Sequence, residues 1–230
     1  MKLLVIKLTF LCVCCYQGGA QTGEKAFQFK KGEVLDILLV TGTKNNYKKL
    51  FNRYKRTAFP VASKFTYQPQ SGFRTKKLIM GSHLPVNFIF GKWNDIKKRK
   101  EFLRVIENEV PDFHKQRKEL FTYFGLAYFE VENDVDFSIY KNKFNVVTSF
   151  WKKKKDKTDF YKVWENSVKK NGGKVILKLE NGESPTGYYY RPDIISIVEW
   201  ETHEQFESFS KKYPLSSYAR LSNVHQFQID

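Results

Sequence analysis

Apolar and polar residues follow one another along the chain in a way that predicts two similar sets of strands and helices. Each set begins with an apolar stretch typical of a buried strand, at residues 34–41 and again at residues 144–151. A helix-like segment follows each stretch, with aromatic and apolar residues three and four positions apart. Such spacings place these side chains on one helical face, so we expect each helix to cover a sheet.

The later part of each set also matches the other. Pro85 and Pro192 each precede an apolar strand that reaches a tryptophan eight residues later, at Trp93 and Trp200. A charged, helix-like segment follows in both places. The sequence therefore predicts an internal repeat, with the order strand, helix, strand, strand, helix, strand in each copy.

The predicted boundaries place the first repeat at 27–132, a connection at 133–142 and the second repeat at 143–230. In the first repeat we expect elements at 34–41, 44–57, 63–68 with an extension to 80, 86–93, 95–124 with a break at Pro111, and 126–132. In the second we expect them at 144–151, 157–170, 174–181, 193–200, 202–212 and 223–229.

This order of elements is the ferredoxin-like unit, whose helices cover only one face of its sheet. The strand at 193–200 nevertheless alternates apolar residues on both faces, with Ile195 and Ile197 on one and Val198 and Trp200 on the other. Both faces must then be buried. We therefore predict an α+β fold in which two ferredoxin-like repeats pack sheet to sheet as an intrachain pseudo-dimeric α+β barrel.

One short motif resembles a known family. Arg191-Pro192, six residues and Glu199-Trp200, with a helix after them, are similar to the signature of a small-domain family of unknown function in the dimeric α+β-barrel superfamily. The first repeat departs from it, with Leu84 and Lys92 at the positions of Arg191 and Glu199. Superfamily relatives include monooxygenases, isomerases, haem-processing enzymes and domains without known activity, so the resemblance implies a fold and leaves the chemistry open.

Several side chains near the third strand of the second repeat are candidates for a ligand site. Tyrosine rings could frame a flat ligand, and the Arg191 guanidinium suits a carboxylate or phosphate. Glu199, if buried and unpaired, could act as a base, whereas pairing would make it structural. The candidate ligand-binding residues are Tyr188, Tyr190, Arg191, Glu199, His225 and His83. The alternative is a loop that simply packs on the barrel mouth.

Other chemistry finds little support in the sequence. The four histidines lack metal-ligand spacing, so we expect no metal site. No Gly-x-Ser-x-Gly motif or phosphate-cradling glycine loop is present, and no catalytic residue can be assigned. All three cysteines, Cys12, Cys14 and Cys15, lie in the N-terminal apolar stretch.

That N-terminal stretch has the pattern of a secretory signal peptide. A charged start and a short apolar segment are followed by Gly18 and Ala20, which suit cleavage near Ala20–Gln21. We expect a secreted or periplasmic protein, with an uncleaved membrane anchor as the alternative. Loss of Lys2 and Lys7 with residues 1–20 would lower the net charge of +16 by two, to +14.

The basic balance favours acidic partners, and lysine-rich runs at 97–100 and 152–155 could bind a polyanion or could simply be solvated. Our main interpretation is an exported barrel protein of unknown role that binds a small ligand or acidic partner without evident catalysis. The alternative is a cofactor-independent or haem-related enzyme of monooxygenase or isomerase type that uses the barrel interior. Oligomeric state is left open.

Overall fold

The computed structural model describes residues 23–153 and 160–230. The predicted leader lies outside these residues, as do the last two lysines of the run at 152–155 and the predicted helix start at 157–159. No helix within the described residues is both long and apolar enough to span a membrane.

The described residues form two successive sets of strands and helices. The strands are Glu24–Phe29 (β1), Val34–Gly42 (β2), Gln68–Met80 (β3), Asn87–Trp93 (β4), Phe121–Glu130 (β5), Val135–Tyr140 (β6), Phe144–Lys152 (β7), Lys174–Glu180 (β8), Ile194–Trp200 (β9) and Leu221–Ile229 (β10). The α-helices are Tyr47–Lys64 (α1), Ile96–Glu109 (α2), Phe113–Leu120 (α3), Phe160–Lys170 (α4) and His203–Lys212 (α5).

Eight of these strands form one antiparallel sheet in the order β5-β2-β4-β3-β10-β7-β9-β8. The first half contributes β5-β2-β4-β3 and the second half β10-β7-β9-β8, which is the same arrangement of corresponding strands. Pairing of β3 with β10 joins the halves, with Phe227 opposite Leu78. At the other end Tyr128 and Glu183 exchange two backbone hydrogen bonds of 2.8 and 2.9 Å, which brings the outer edges together.

The predicted burial of both sheet faces is confirmed. Ile195 and Ile197 join a core that also contains Ile37 and Phe90 of the first half, so the two four-stranded halves of the sheet, referred to below as the two sheets, pack against each other. Val198 and Trp200 face the helices of the second half. The interior between the sheets, which the enzyme alternative would use, is filled by apolar side chains.

A two-stranded ribbon of β1 and β6 adds to that interior. It supplies Phe27, Phe29, Phe137 and Ile139 to the core between the sheets. The connection predicted at 133–142 thus provides a strand with alternating buried residues, as its sequence pattern indicates. Its partner β1 was not predicted.

Three predicted boundaries in the first half are wrong. Helix α1 continues through Pro60 to Lys64 and β3 begins only at Gln68, because the apolar face of α1 stays buried beyond the proline. Pro60 lacks its own N–H, but it is exposed, and the burial of Val61 and Ala62 outweighs the missing hydrogen bond. The segment 95–124 does divide near Pro111, although β5 begins already at Phe121.

Candidate functional site

A cavity of about 840 Å³ lies between α1 and the helix-facing side of the first half's sheet. Its floor includes Asp36, Leu38 and Val40, which are alternate residues of β2 and therefore share one face. The residues between them point into the core between the sheets. The alternation of β2 thus divides its side chains between the barrel core and this cavity.

Helix α1 forms the roof through a stripe of residues three and four positions apart. The stripe includes Phe51, Tyr54, Ala58 and Ala62, which all line the cavity. On the floor, Gly91 of β4 lets the Tyr67 ring approach closely, since a Cβ atom there would lie 2.6 Å from Tyr67 Cε2. The small side chains of Ala58 and Ala62 leave space between helix and sheet.

A buried ion pair stands at one side of the cavity. Arg99 of α2 donates from Nε to Asp36 Oδ1 at 2.8 Å, and the side chains are 1% and 7% exposed. The guanidinium also lies 4.5 Å from the centre of the Tyr128 ring. Its Nη1 is buried without a hydrogen-bond partner. Arg99 is therefore a buried ion-pair partner, so neither solvation nor polyanion binding, the two interpretations of the run at 97–100, holds at this position.

A second arginine, Arg117 of α3, lines the same cavity and is 9% exposed. It donates from Nε to Tyr54 Oη at 2.9 Å and from Nη1 to Tyr188 Oη at 2.8 Å. Its guanidinium lies 4.1 Å from the Phe113 ring centre and 4.7 Å from that of Phe124. Among the described residues no carboxylate forms an ion pair with it.

Burial keeps the tyrosines of the cavity neutral. Desolvation raises the pKa of Tyr54, against the opposing charge of Arg117, and it also raises the pKa of Tyr67. Cationic residues outnumber anionic ones in the lining. The cations are Lys25, Lys55, Arg74, Arg99, Arg117 and Lys141, and the anions are Glu24, Asp36 and Asp230. The cavity is thus apolar with a positive excess.

The corresponding space in the second half is filled. Phe150 packs against Trp164 with ring centres 5.1 Å apart, and Tyr161 lies 5.4 Å from Trp164. At the sequence positions that match Asp36 and Arg99, the second half has Val146 and Phe206, both in its helix-side core. The two halves therefore share a fold while the first half alone has this charged pair.

Three of the sequence-predicted site residues meet around a second cavity of about 320 Å³. Tyr190 Oη lies 3.0 Å from His225 Nδ1 and 2.7 Å from Ser149 Oγ. His225 Nε2 lies 2.7 Å from the carbonyl oxygen of His83, whose ring also lines the cavity. His83, Tyr190 and His225 thus lie close together.

The other three candidates lie elsewhere. Tyr188 contacts Arg117 at the first cavity, and exposed Arg191 donates from Nε to the carbonyl of Gly182 at 3.3 Å. Glu199 is partly buried on β9, where its Oε2 has no hydrogen-bond partner. The six candidates therefore do not form one site.

The sequence interpretation missed Asp36, Arg99, Arg117 and Tyr54. One signal was available, because Asp36 interrupts an otherwise apolar strand and a buried carboxylate needs a partner. Arg99 sits within a lysine-rich run, so its type and spacing give no sign of burial.

Haem, which the superfamily resemblance raises as a possible cofactor, would need a protein side chain to bind its iron. Protein ligands to haem iron are histidine, cysteine, methionine or tyrosine. Among the described residues that line the large cavity, none is histidine, cysteine or methionine, and the buried tyrosines keep raised pKa values. His225 lines the smaller cavity, but both its ring nitrogens are within hydrogen-bond distance of protein groups. These residues do not provide a ready haem ligand.

No family model matches the chain, and no curated protein matches its sequence. Its fold is similar to chlorite dismutase from Candidatus Nitrospira defluvii in complex with imidazole, with 8% identity, 88% of this chain and 92% of that chain covered, and a TM-score of 0.51. A candidate monooxygenase from Fusobacterium nucleatum has 14% identity, coverages of 88% and 93%, and a TM-score of 0.46. The likeness to chlorite dismutase confirms the ferredoxin-like α+β barrel.

Proposed function

We propose that the chain binds an apolar organic anion, with a carboxylate or phenolate head, in the cavity between α1 and the first half's sheet. The observation that carries this proposal is the buried guanidinium of Arg117, which lines the cavity and, among the described residues, has only neutral phenols as hydrogen-bond partners.

Charge supports an anionic head group. A buried ion is costly unless an opposite charge accompanies it, and within the part of the chain that the structure describes the Arg117 guanidinium contacts phenol oxygens and aromatic rings but forms no ion pair. A carboxylate or phenolate would supply that charge, and charge-assisted hydrogen bonds are stronger than neutral ones. The positive excess of the lining favours the same sign of ligand.

The size and lining of the cavity support an apolar body. About 840 Å³ falls within the range of small-molecule sites, which is roughly 300–1,000 Å³. Away from the arginines the walls are mostly aliphatic and aromatic side chains, including Leu38, Val40, Phe51, Phe59 and Ile89. Burial of an apolar tail against them would supply most of the affinity.

A second candidate is an enzyme of monooxygenase or isomerase type that acts in this same cavity. It is favoured by Asp36, a buried carboxylate that lines the cavity together with Arg117. Asp36, whose Oδ1 is held by Arg99, would accept a proton from the ligand, and Arg117 would stabilise the resulting oxyanion. The fold neighbour named as chlorite dismutase is an enzyme, which supports this candidate over a purely non-catalytic role.

The test of binding is a fluorescence titration of the purified protein with cis-parinaric acid and with its uncharged methyl ester. We expect the acid to bind and Arg117→Gln to raise its Kd about 10-fold or more, since hydrogen bonds to charged groups contribute roughly 1.5–3 kcal/mol. Binding of the ester should change far less. Long-chain alkylphenols, titrated above and below their pKa, distinguish a phenolate head from a carboxylate head.

Arg53→Gln is the matched control, because Arg53 pairs with Asp112 and Glu119 and does not line the cavity. Leu38→Trp fills the floor while it keeps both arginines, so it should weaken acid and ester alike. Circular dichroism of each variant establishes that it is folded. Equal acid affinity in Arg117→Gln and Arg53→Gln, or undiminished binding in Leu38→Trp, would overturn the proposal.

Asp36 separates the binding and enzyme candidates. Ligands that remain bound through purification are extracted and identified by mass spectrometry, then incubated with the protein and with Asp36→Asn. Loss of turnover with binding retained supports the enzyme candidate, and an unchanged ligand supports binding alone.

We further propose that the chain is exported, that its halves arose by tandem duplication, and that it belongs to the small-domain family which its motif resembles. The strand order that the two halves share supports the duplication. Mass spectrometry of the protein from culture supernatant or periplasm should give a chain that begins at Gln21.

Binding of a polyanion through exposed lysines is a weaker proposal, tested by salt-dependent retention on heparin.

A further inference from the structure

The second cavity lies where the two halves join. Strand β3 ends at Met80 beside its partner β10, and residues 81–84 then pass over His225. Gly81 has φ +117°, and a Cβ atom there would lie 2.8 Å from His225 Cδ2. This turn therefore requires glycine, both for its backbone conformation and for space.

Aromatic side chains from both halves surround this cavity. Tyr123 and Phe124 come from β5, Trp151 comes from β7, and Tyr189 and Tyr190 come from the loop before β9. Among the described residues no aspartate, glutamate, lysine or arginine lines it. It thus differs in kind from the cavity under α1, whose lining has several charges.

Most polar groups around the cavity have hydrogen-bond partners. Those of His225 indicate which of its ring nitrogens carries a proton. Its Nε2 must donate to the carbonyl oxygen of His83, so the proton of the neutral ring is on Nε2, while Nδ1 lies 3.0 Å from the Tyr190 hydroxyl, which itself donates to Ser149 Oγ. Burial lowers the pKa of His225, which favours this neutral form.

One polar atom is left over. The Nε2 atom of His83 is buried and has no hydrogen-bond partner, while the His83 ring lies against Tyr123 with centres 4.1 Å apart. A buried polar atom without a partner costs free energy that a ligand can recover. Among the described lining residues, which include the polar Ser82 and Asn223 beside the aromatic rings, His83 carries the buried side-chain atom that lacks a partner and could bond to a ligand.

We propose that this cavity is a second binding site, for an uncharged aromatic or heteroaromatic compound of one or two rings. The ligand stacks among Tyr123, Trp151 and Tyr190 and forms a hydrogen bond with His83 Nε2. A charged ligand would lose its hydration without gaining an ionic partner. The volume of about 320 Å³ is at the lower end for small-molecule sites, which limits the number of rings.

The test uses two probes with the same ring, uncharged 4-nitrobenzyl alcohol and anionic 4-nitrobenzoate. The indole N–H signals of the four tryptophans are followed by NMR and assigned with Trp151→Phe and Trp93→Phe. We expect the alcohol to move the Trp151 signal in a saturable way. The benzoate should leave Trp151 unmoved and, if the proposed function holds, should move the signal of Trp93 in the first cavity.

Substitutions at His83 separate its hydrogen bond from general packing. His83→Leu should raise the Kd of the alcohol about fivefold, and His83→Gln should restore most of the loss. His203→Leu, at a histidine on α5, is the matched control. A Trp151 signal that the alcohol does not move, an equal response to both probes, or unchanged affinity in His83→Leu would overturn the second site. A Trp93 signal that the benzoate leaves unmoved counts against the first cavity alone.

Discussion

Arg117 in the first half donates a hydrogen bond of 2.8 Å to the phenol oxygen of Tyr188 in the second. The loop between β8 and β9 carries Tyr188 to this position. Tyr190, two residues later, reaches His225 at the other cavity, while Tyr189 between them is 95% exposed. This loop thus places Tyr188 on Arg117 of the first cavity and Tyr189 and Tyr190 in the lining of the second, so its contacts connect the two cavities.

Replacement of Tyr188 by phenylalanine should destabilise the protein and strengthen its response to an anionic ligand. The variant leaves a buried guanidinium donor of Arg117 without its acceptor, which costs about 1–3 kcal/mol of the free energy of unfolding. A bound carboxylate can replace the lost acceptor. The rise in Tm caused by cis-parinaric acid should therefore be larger in Tyr188→Phe than in the parent, as measured by thermal unfolding.

Tyr189→Phe removes the same hydroxyl from the neighbouring, exposed tyrosine and should leave stability within about 0.5 kcal/mol. Equal stability of the two variants would show that Tyr188 contributes nothing to holding Arg117.

Removing one partner of the buried Asp36–Arg99 pair should lower the free energy of unfolding strongly, whereas replacing both residues together should lower it much less. Asp36→Asn alone leaves a guanidinium that is 1% exposed without its counter-ion, so we expect a loss of about 3–5 kcal/mol in urea unfolding. The double variant Asp36→Val with Arg99→Phe introduces the residue types found at the matching positions of the second half, Val146 and Phe206. It should recover most of that loss.

An exposed pair provides the comparison. Lys30 Nζ lies 2.9 Å from Asp134 Oδ2, and the two side chains are 62% and 61% exposed. Asp134→Asn should cost less than about 1 kcal/mol. A double variant at Asp36 and Arg99 that is no more stable than Asp36→Asn would contradict the burial argument.

The barrel could be predicted from sequence because a strand buried on both faces has apolar residues at both sets of alternating positions. In β9 the alternation of Ile195 and Ile197 with Val198 and Trp200 indicates two buried faces, and the structure has both. The end of α1 could not be predicted in this way. Pro60 usually signals a helix end, whereas here tertiary burial of the following turn decides the outcome.

The large cavity was harder to predict, because its residues are distant in sequence. Arg117 and Tyr188 are 71 positions apart, and nothing local indicates that they meet. Tyr190, His225 and His83 were found as candidates, but Arg191 and Glu199 of the family-like motif were grouped with them, and these two residues lie elsewhere. Local motifs identify polar side chains near strand ends, while the pairing of the halves decides which of them share a cavity.

Haemin added to the purified protein should not gain a protein ligand on its iron. The large cavity is lined by neutral tyrosines and arginines, and His225 is already hydrogen bonded at both nitrogens. We expect the Soret band of the titration to follow that of haemin in buffer containing a non-binding control protein. A shifted band that disappears in His225→Gln or Tyr54→Phe would identify an axial ligand and restore the haem-related alternative.

His225 should make the stability of the protein fall as the pH falls below its usual pKa of 6.5. Burial lowers the pKa of this imidazole in the folded protein, so the unfolded chain binds a proton that the folded chain does not. Stability from this group is fully present above about pH 6.5 and is lost below it, by at most about 1.4 kcal/mol per pH unit for one proton. Tyr190 and the His83 carbonyl face the ring, and no carboxylate among the described lining residues stabilises the imidazolium.

In His225→Gln the amide can still donate to the His83 carbonyl, while the titrating group is gone. The difference in unfolding free energy between parent and variant, measured in urea from about pH 7 to pH 5, should therefore shift in favour of the variant as the pH falls. Other groups titrate in both proteins and cancel in this difference. His203→Gln, at a half-exposed histidine beside Glu207, should retain the slope of the parent. If the curves of the parent and His225→Gln run parallel, then His225 is protonated as readily in the folded protein as in the unfolded chain, and its neutral role between Tyr190 and His83 is wrong.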